Sequence, residues 1–123
     1  MTRILYVDDD PDIREVALMA LELDGSLEVC ACASGADALQ LAPDYQPALI
    51  LLDVMMPQMD GPTTLTHLRA DPRTASIPVV FITARTQSAE VAHLKQLGAL
   101  GVIPKPFDPM ALADQARAFL AQE

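Results

Sequence analysis

Leu49-Ile50-Leu51-Leu52-Asp53 is the stretch that decides how this chain is read. Four aliphatic residues in a row suit a strand buried on both faces, as in a parallel sheet covered by helices. The carboxylate that closes the run is out of character with it. Three further runs close in the same way. Ile4-Leu5-Tyr6-Val7 ends in Asp8-Asp9, Val79-Val80-Phe81-Ile82 in Thr83, and Val102-Ile103-Pro104 in Lys105. As parallel strands of one sheet, these runs bring their ends to one rim. Three carboxylates, a hydroxyl and an ammonium then converge, a set able to hold a divalent cation and accept a phosphoryl group.

Working outward, strand-like runs near 3–7, 27–32, 48–52, 78–82 and 101–103 alternate with helical stretches. Alternating β and α units predict an α/β fold with a parallel sheet. Helix one is expected over 11–23, capped by Asp10, opened by Pro11 and ended near Gly25, with Ile13, Val16, Ala17 and Ala20 as its buried stripe. Helix two is expected near 35–42, with Ser34 and Asp37 spaced as a capping pair. Helix three, over 61–70, turns Leu65 and Leu68 inward, and helix four, over 88–97, stops at Gly98. Helix five starts behind Asp108-Pro109 and carries Leu112, Ala116, Phe119 and Leu120 on one stripe.

The chain has 123 residues, 51% of them hydrophobic, and a formal net charge of −9. That length supports one domain with a real core, 1–123, and is too short for two. No apolar run approaches the ~20 residues of a membrane span. Met1-Thr2-Arg3 leads straight into a strand rather than a signal peptide, so a cytoplasmic protein is expected. The acidity repels a phosphate backbone and no Lys/Arg cluster offsets it. Neither nucleic acid nor a membrane is therefore an expected partner, and the plain reading of the charge is solubility. Cys30 and Cys32 face one way on a strand, where a disulfide would close a strained loop. His67 and His93 fall in helical segments without zinc spacing, so the cysteines read as buried structural thiols.

Right-handed crossovers put every β-to-α loop at the carboxyl edge of the sheet, where open α/β sheets bind ligands. The common five-strand order, 2-1-3-4-5, is taken over from known folds of this kind. It sets strands one and three side by side, making Asp8, Asp9 and Asp53 neighbours. Strand two, at the edge, ends in Cys32-Ala33-Ser34 without such chemistry. Crowded carboxylates repel one another, and a hard cation relieves this. Mg²⁺ binds through one or two carboxylates plus a phosphate; spacing does not choose it over Mn²⁺. The plainer alternative makes Asp8, Asp9 and Asp10 helix-cap acids. The cap is preferred for Asp10 and the metal for Asp8 and Asp9, because a cap does not explain Asp53. A carboxylate can form an aspartyl phosphate. Lys105 can neutralise charge on the transferring group, and Thr83 can donate to a phosphoryl oxygen. Taken singly these two are a solvated lysine and a strand-end hydroxyl; their joint placement reverses that reading.

At these residues the chain resembles, over its full length, the receiver domain of bacterial two-component response regulators, of the stand-alone, chemotaxis-regulator-like type. The matching pieces are Val7-Asp8-Asp9, Leu52-Asp53-Val54-Met55-Met56-Pro57 with Met59-Asp60-Gly61, Ile82-Thr83-Ala84, and Lys105-Pro106-Phe107. Each is weak alone; in this order and spacing they are specific. The resemblance implies a flavodoxin-like, doubly wound sheet with five flanking helices. It implies Asp53 as phosphoacceptor, and Asp9, Asp53 and the Met55 carbonyl as Mg²⁺ ligands, with Asp8 acting through a metal-bound water. Lys105 would pair with the phosphoryl group, Thr83 would follow it, and the Lys105-Pro106 bond would be cis. Met55 and Arg85 would flank the phosphoryl group; Arg85 either restricts water there or is simply solvated. The pattern departs at Val102, where many receivers carry Tyr or Phe. A valine repacks only slightly, which speaks against an output carried by a swinging aromatic. Pro104 stiffens strand five and removes a backbone donor.

Three functions compete. The first is a single-domain response regulator, phosphorylated by a histidine kinase or histidine phosphotransfer protein and signalling by protein contact through helix four, strand five and helix five. It is a phosphoacceptor assisting its own phosphorylation and dephosphorylation, not a turnover enzyme, with homodimerisation through the same face left open. The second is a phosphate sink or relay intermediate, to which Val102 lends support. The third is a small hydrolase or flavin carrier on the same architecture. It is disfavoured by the Asp-Val-Met-Met-Pro context of Asp53 and the lack of a Gly-rich phosphate loop.

Overall fold

The computed structural model describes residues 1–122. Its elements run β1 (Thr2–Val7), α1 (Pro11–Glu22), β2 (Leu27–Cys32), α2 (Gly35–Tyr45), β3 (Leu49–Asp53), α3 (Gly61–Ala70), β4 (Val79–Thr83), α4 (Ser88–Gln96), β5 (Gly101–Pro104) and α5 (Leu112–Leu120). The strands form one sheet in the order β2-β1-β3-β4-β5. Every adjacent pair is parallel, with Val7 beside Leu52 and Asp53 beside Ile82. This is the α/β architecture and strand order expected from the sequence.

Alternation along the strands splits the core in two. Leu5, Val7, Ile50, Leu52, Val79 and Phe81 pack with Ala38, Leu65, Leu68 and Leu94, so α2, α3 and α4 cover this face. Ile4, Tyr6, Leu49, Leu51, Val80 and Ile103 pack with Ala17, Leu21, Leu112 and Ala116, so α1 and α5 cover the other. Neither face of residues 4–7 in β1, of β3 or of β4 reaches water, which is why these stretches are almost wholly apolar.

Local signals place most helix starts. Asp10 accepts the amides of Asp12 and Ile13, and Ser34 accepts that of Asp37. Asp60 likewise caps α3 by accepting the Thr63 amide. Four expectations need correction. α2 runs through Pro43 to Tyr45, because a proline in the final turn removes one ladder bond without ending the helix. Gln46 then stops it with a left-handed φ of 51°. α5 starts behind Pro109 but only at Leu112, one turn later: Asp108 accepts the amides of Met110 and Ala111 in a separate turn. Val16 is 43% exposed, the buried stripe of α1 being Ala17, Ala20 and Leu21. Cys30 is only half-buried, whereas Cys32 is buried; both thiols are free.

Candidate functional site

The strand ends meet as the topology requires. β1 delivers Asp8 and Asp9, and β3 delivers Asp53. One carboxylate oxygen from each of the three lies within 4.8 Å of the others. Asp8 is fully buried and Asp53 nearly so, while Asp9 is exposed. Lys105, just past β5, sets its Nζ 3.1 Å from Asp8 Oδ2 and 3.1 Å from Asp53 Oδ2. Asp8 Oδ1 accepts the Asp10 amide at 3.0 Å, and Arg14 donates to the Asp8 carbonyl at 2.9 Å. The Asp53 Oδ1 contact with the Met55 amide is long, at 3.4 Å.

Close packing holds the rim in place. Gly61 opens α3 against the end of β3; a Cβ there would lie 2.5 Å from the Asp53 carbonyl and 2.9 Å from Phe81. Thr83 is buried at the end of β4. Its carbonyl accepts the Lys105 amide at 2.9 Å and its Oγ1 accepts the Arg85 amide at 3.0 Å. The Lys105 amide makes the ordinary parallel-ladder bond for the Thr83–Pro104 pair, and an amide at Pro104 would point away from β4 on this edge strand, so the proline removes no bond from the ladder. The Lys105-Pro106 peptide is cis.

Electrostatics follow from burial. Burial pushes the Asp53 carboxyl above its usual range and the Asp8 charge adds to this, while the Lys105 hydrogen bond opposes it; the net shift is upward. For Lys105, burial pulls downward, but hydrogen bonds and charge from Asp53 and Asp8 more than offset it, so the ammonium is strengthened. Three carboxylates against one ammonium leave the cluster negative, and every donor near it is a hard oxygen. That donor set fits a divalent cation of the Mg²⁺ or Mn²⁺ kind.

The remaining expected residues stand around this cluster. Met55 is 71% exposed, Arg85 is exposed, Val102 is half-buried on β5, and Pro106 follows the cis bond. Asp10 is occupied as the α1 cap. One participant escaped the sequence reading. Tyr6 is fully buried, and its hydroxyl donates to Asp8 Oδ2 at 3.0 Å. Burial first, then the Asp8 charge, raises this phenol far above its ordinary value, so it is a neutral donor. Its one signal in the sequence was a polar atom in an aliphatic strand, two residues before Asp8 and so on the same side of the pleat.

Comparison with known proteins defines the class. The response regulator receiver domain family matches residues 4–117, and the chain belongs to it. Response regulator Rre1 of Synechocystis sp. is 39% identical over 120 residues, covering 98% of this chain and 52% of that protein. DNA-binding response regulator MtrA of Mycolicibacterium smegmatis is 36% identical over 118 residues, covering 96% of this chain and 50% of that protein. The chain thus spans about half the length of these curated relatives. Among solved structures, chemotaxis protein CheY4 of Vibrio cholerae superposes with a TM-score of 0.88 at 30% identity, covering 97% of this chain and 98% of that one. A response regulator from Desulfuromonas acetoxidans gives 0.87 at 28% identity, covering 99% and 98%. No helix among the described residues is long and apolar enough to cross a membrane.

Proposed function

We propose that this receiver takes a phosphoryl group from a phosphohistidine onto Asp53. The observation that carries the reading is Lys105 Nζ, shared at 3.1 Å between Asp8 and Asp53 beside a third carboxylate. An Asp53 oxygen attacks phosphorus and forms a P–O bond. The P–N bond to the donor histidine breaks, and its electron pair stays on that ring nitrogen. With the other ring nitrogen protonated, the histidine leaves neutral. Lys105 follows the charge onto the phosphoryl oxygens. Thr83 Oγ1 already accepts the Arg85 amide, so its own proton is the one to give to a phosphoryl oxygen. A divalent cation, Mg²⁺ or alternatively Mn²⁺, would be held by Asp9, Asp53 and the Met55 carbonyl, with Asp8 acting through water, and would supply further neutralisation of phosphoryl charge when bound. The protein acts as a stoichiometric acceptor rather than a turnover enzyme, in the cytoplasm, where free thiols such as Cys30 and Cys32 persist.

The donor's path to Asp53 has a physical candidate. An apolar groove of about 520 Å³ starts at Lys105 and Ala84 and runs past Val16, Phe107 and Pro109. It continues along Met19, Leu23 and Met110, which are 63%, 76% and 80% exposed. A histidine can reach Asp53 only if its carrier covers the ground beside Lys105, so we assign the groove to the phosphohistidine-bearing donor. Output passes by protein contact through α4, β5 and α5.

Incubation with acetyl phosphate and Mg²⁺ should add one phosphoryl group by intact mass, and Asp53→Asn should abolish the addition. Continued labelling of that variant would sink the assignment. Met19→Glu should slow transfer from a histidine donor about tenfold, the scale of one lost apolar anchor, with acetyl phosphate labelling unchanged.

A further inference from the structure

Tyr6 lies wholly in the core, yet its hydroxyl ends at the rim. Asp8 Oδ2 accepts from two donors, the Tyr6 hydroxyl at 3.0 Å and Lys105 Nζ at 3.1 Å. Lys105 is also the donor to Asp53 Oδ2, and its side chain is 21% exposed. The two donors therefore differ in kind. A hydroxyl carries one proton, and the structure directs that of Tyr6 to Asp8. An ammonium on a flexible stem can change partners.

A phosphoryl group on Asp53 brings a charge of about −2 within reach of Lys105 and competes for it. Asp8 is then left buried with one donor fewer. We propose that Tyr6 is a positioning residue, whose hydroxyl keeps the Asp8 carboxylate in place while Lys105 shifts from the two aspartates to the phosphoryl group. The inference rests on Asp53 being the acceptor. Three features support it. Tyr6 and Asp8 stand two residues apart, so the ring reaches the rim from the same side of β1. A phenol adds no cation that would compete with Lys105 for the phosphoryl group. The Tyr6 ring is braced edge-on by Phe107, with centroids 6.5 Å apart and planes at 75°. Phe107 belongs to the segment that carries Lys105, so the hydroxyl and the ammonium are set by one packing contact.

Tyr6→Phe keeps the ring and the Phe107 contact and removes the hydroxyl. Wild type and Y6F are titrated calorimetrically with Mg²⁺ alone, then with beryllofluoride, a mimic of phosphoryl on aspartate, at saturating Mg²⁺. In Y6F the Mg²⁺ affinity should stay within about twofold, because Lys105 still holds Asp8, while beryllofluoride affinity should fall about tenfold, as for one lost hydrogen bond to a charge. Equal losses for both ligands, or none for either, overturn the proposal. A hydroxyl that only packs the core would lower the melting temperature without separating the two ligands. If Y6F does not fold, the wild type answers alone. Its Tyr6 hydroxyl proton must stay a slowly exchanging NMR resonance after Mg²⁺ and beryllofluoride are added, and its disappearance overturns the proposal. A wild type that binds neither ligand removes the acceptor reading itself and this inference with it. A wild type that binds both while Y6F matches it removes this inference only.

Discussion

At the rim, the buried charges are tied from several sides. Asp8 accepts from Tyr6, Lys105 and the Asp10 amide, and Asp53 shares the same ammonium. On the face made by α4, β5 and α5, ties are few. Both helices begin without a side-chain cap bond, Leu94 is the residue α4 buries, and β5 is a four-residue edge strand. A cavity of about 250 Å³ opens there among Thr86, Val91, Lys95, Val102, Pro104 and Phe119. Few buried apolar contacts mean low local stability, so this face yields first when pulled. Thr83 joins the two regions, its Oγ1 bound to the loop toward α4 and its carbonyl to the Lys105 amide. A rigid rim and a soft face on either side of one residue are the arrangement a switch requires.

Lys105→Met is the strongest way to break this contrast. It keeps the stem and leaves two buried carboxylates without their ammonium, at a cost of about 3 kcal/mol in metal-free protein at neutral pH. Denaturant titration measures it. Acidification should recover the loss, and an unchanged midpoint would mean that the rim is not held by charge pairing. Gly101→Ala attacks the soft face instead. A Cβ on Gly101 would run into the Phe119 ring, and the strain should cost about 2 kcal/mol. Acetyl phosphate labelling should persist in that variant. Loss of labelling in step with stability would show that the two regions are one unit.

The rim was legible because parallel topology fixes where strand ends go, whatever the side chains do. Asp8, Asp9, Asp53, Thr83 and Lys105 needed only their places at the ends of apolar runs. The strand order was borrowed from known folds. Features that depend on packing were not legible. Val16 fits the helical stripe by spacing, yet faces the groove, because Ala17 and Leu21 already fill the contact with the sheet. Helix two runs past its expected end near 42, because Pro43 falls in a last turn, where a proline removes one bond without ending the helix. Tyr6 passed as one more apolar strand residue, since only the fold shows where its hydroxyl ends. The Gly101–Phe119 contact joins β5 to α5, and no local pattern marks it.

Metal binding sharpens the contrast by a smaller amount. The Asp53 pKa is raised in the folded state. Its contribution to stability is therefore complete below the unfolded carboxyl value and is lost as pH rises through the folded one. Metal-free protein pays this at neutral pH, and Mg²⁺ should restore it. At ten times its dissociation constant the ion adds about 1.4 kcal/mol by mass action. The rise in melting temperature should be clear at pH 7 and nearly absent at pH 4, where protonation competes with the ion. An equal rise at both would place the ion away from Asp53.

The smallest effect concerns Val102. The residue packs against the core formed by Phe81 and Leu94 and also lines the cavity beside Phe119. A larger side chain there has space to enter, so the usual overpacking cost is avoided. Val102→Phe should change stability by less than about 1 kcal/mol. Its consequence lies in the response. With Val102, the ring nearest the cavity belongs to Phe119 on α5 and is already seated on Gly101. A pull on Thr83 then moves the α4 side of the cavity past a fixed ring. In the V102F variant a second ring can enter or leave as Thr86 moves, coupling the rim to the face more tightly. Hydrogen exchange over residues 86–104, with and without beryllofluoride, should show a larger difference in V102F than in wild type. Equal differences would mean that the soft face answers to Thr83 through its backbone alone.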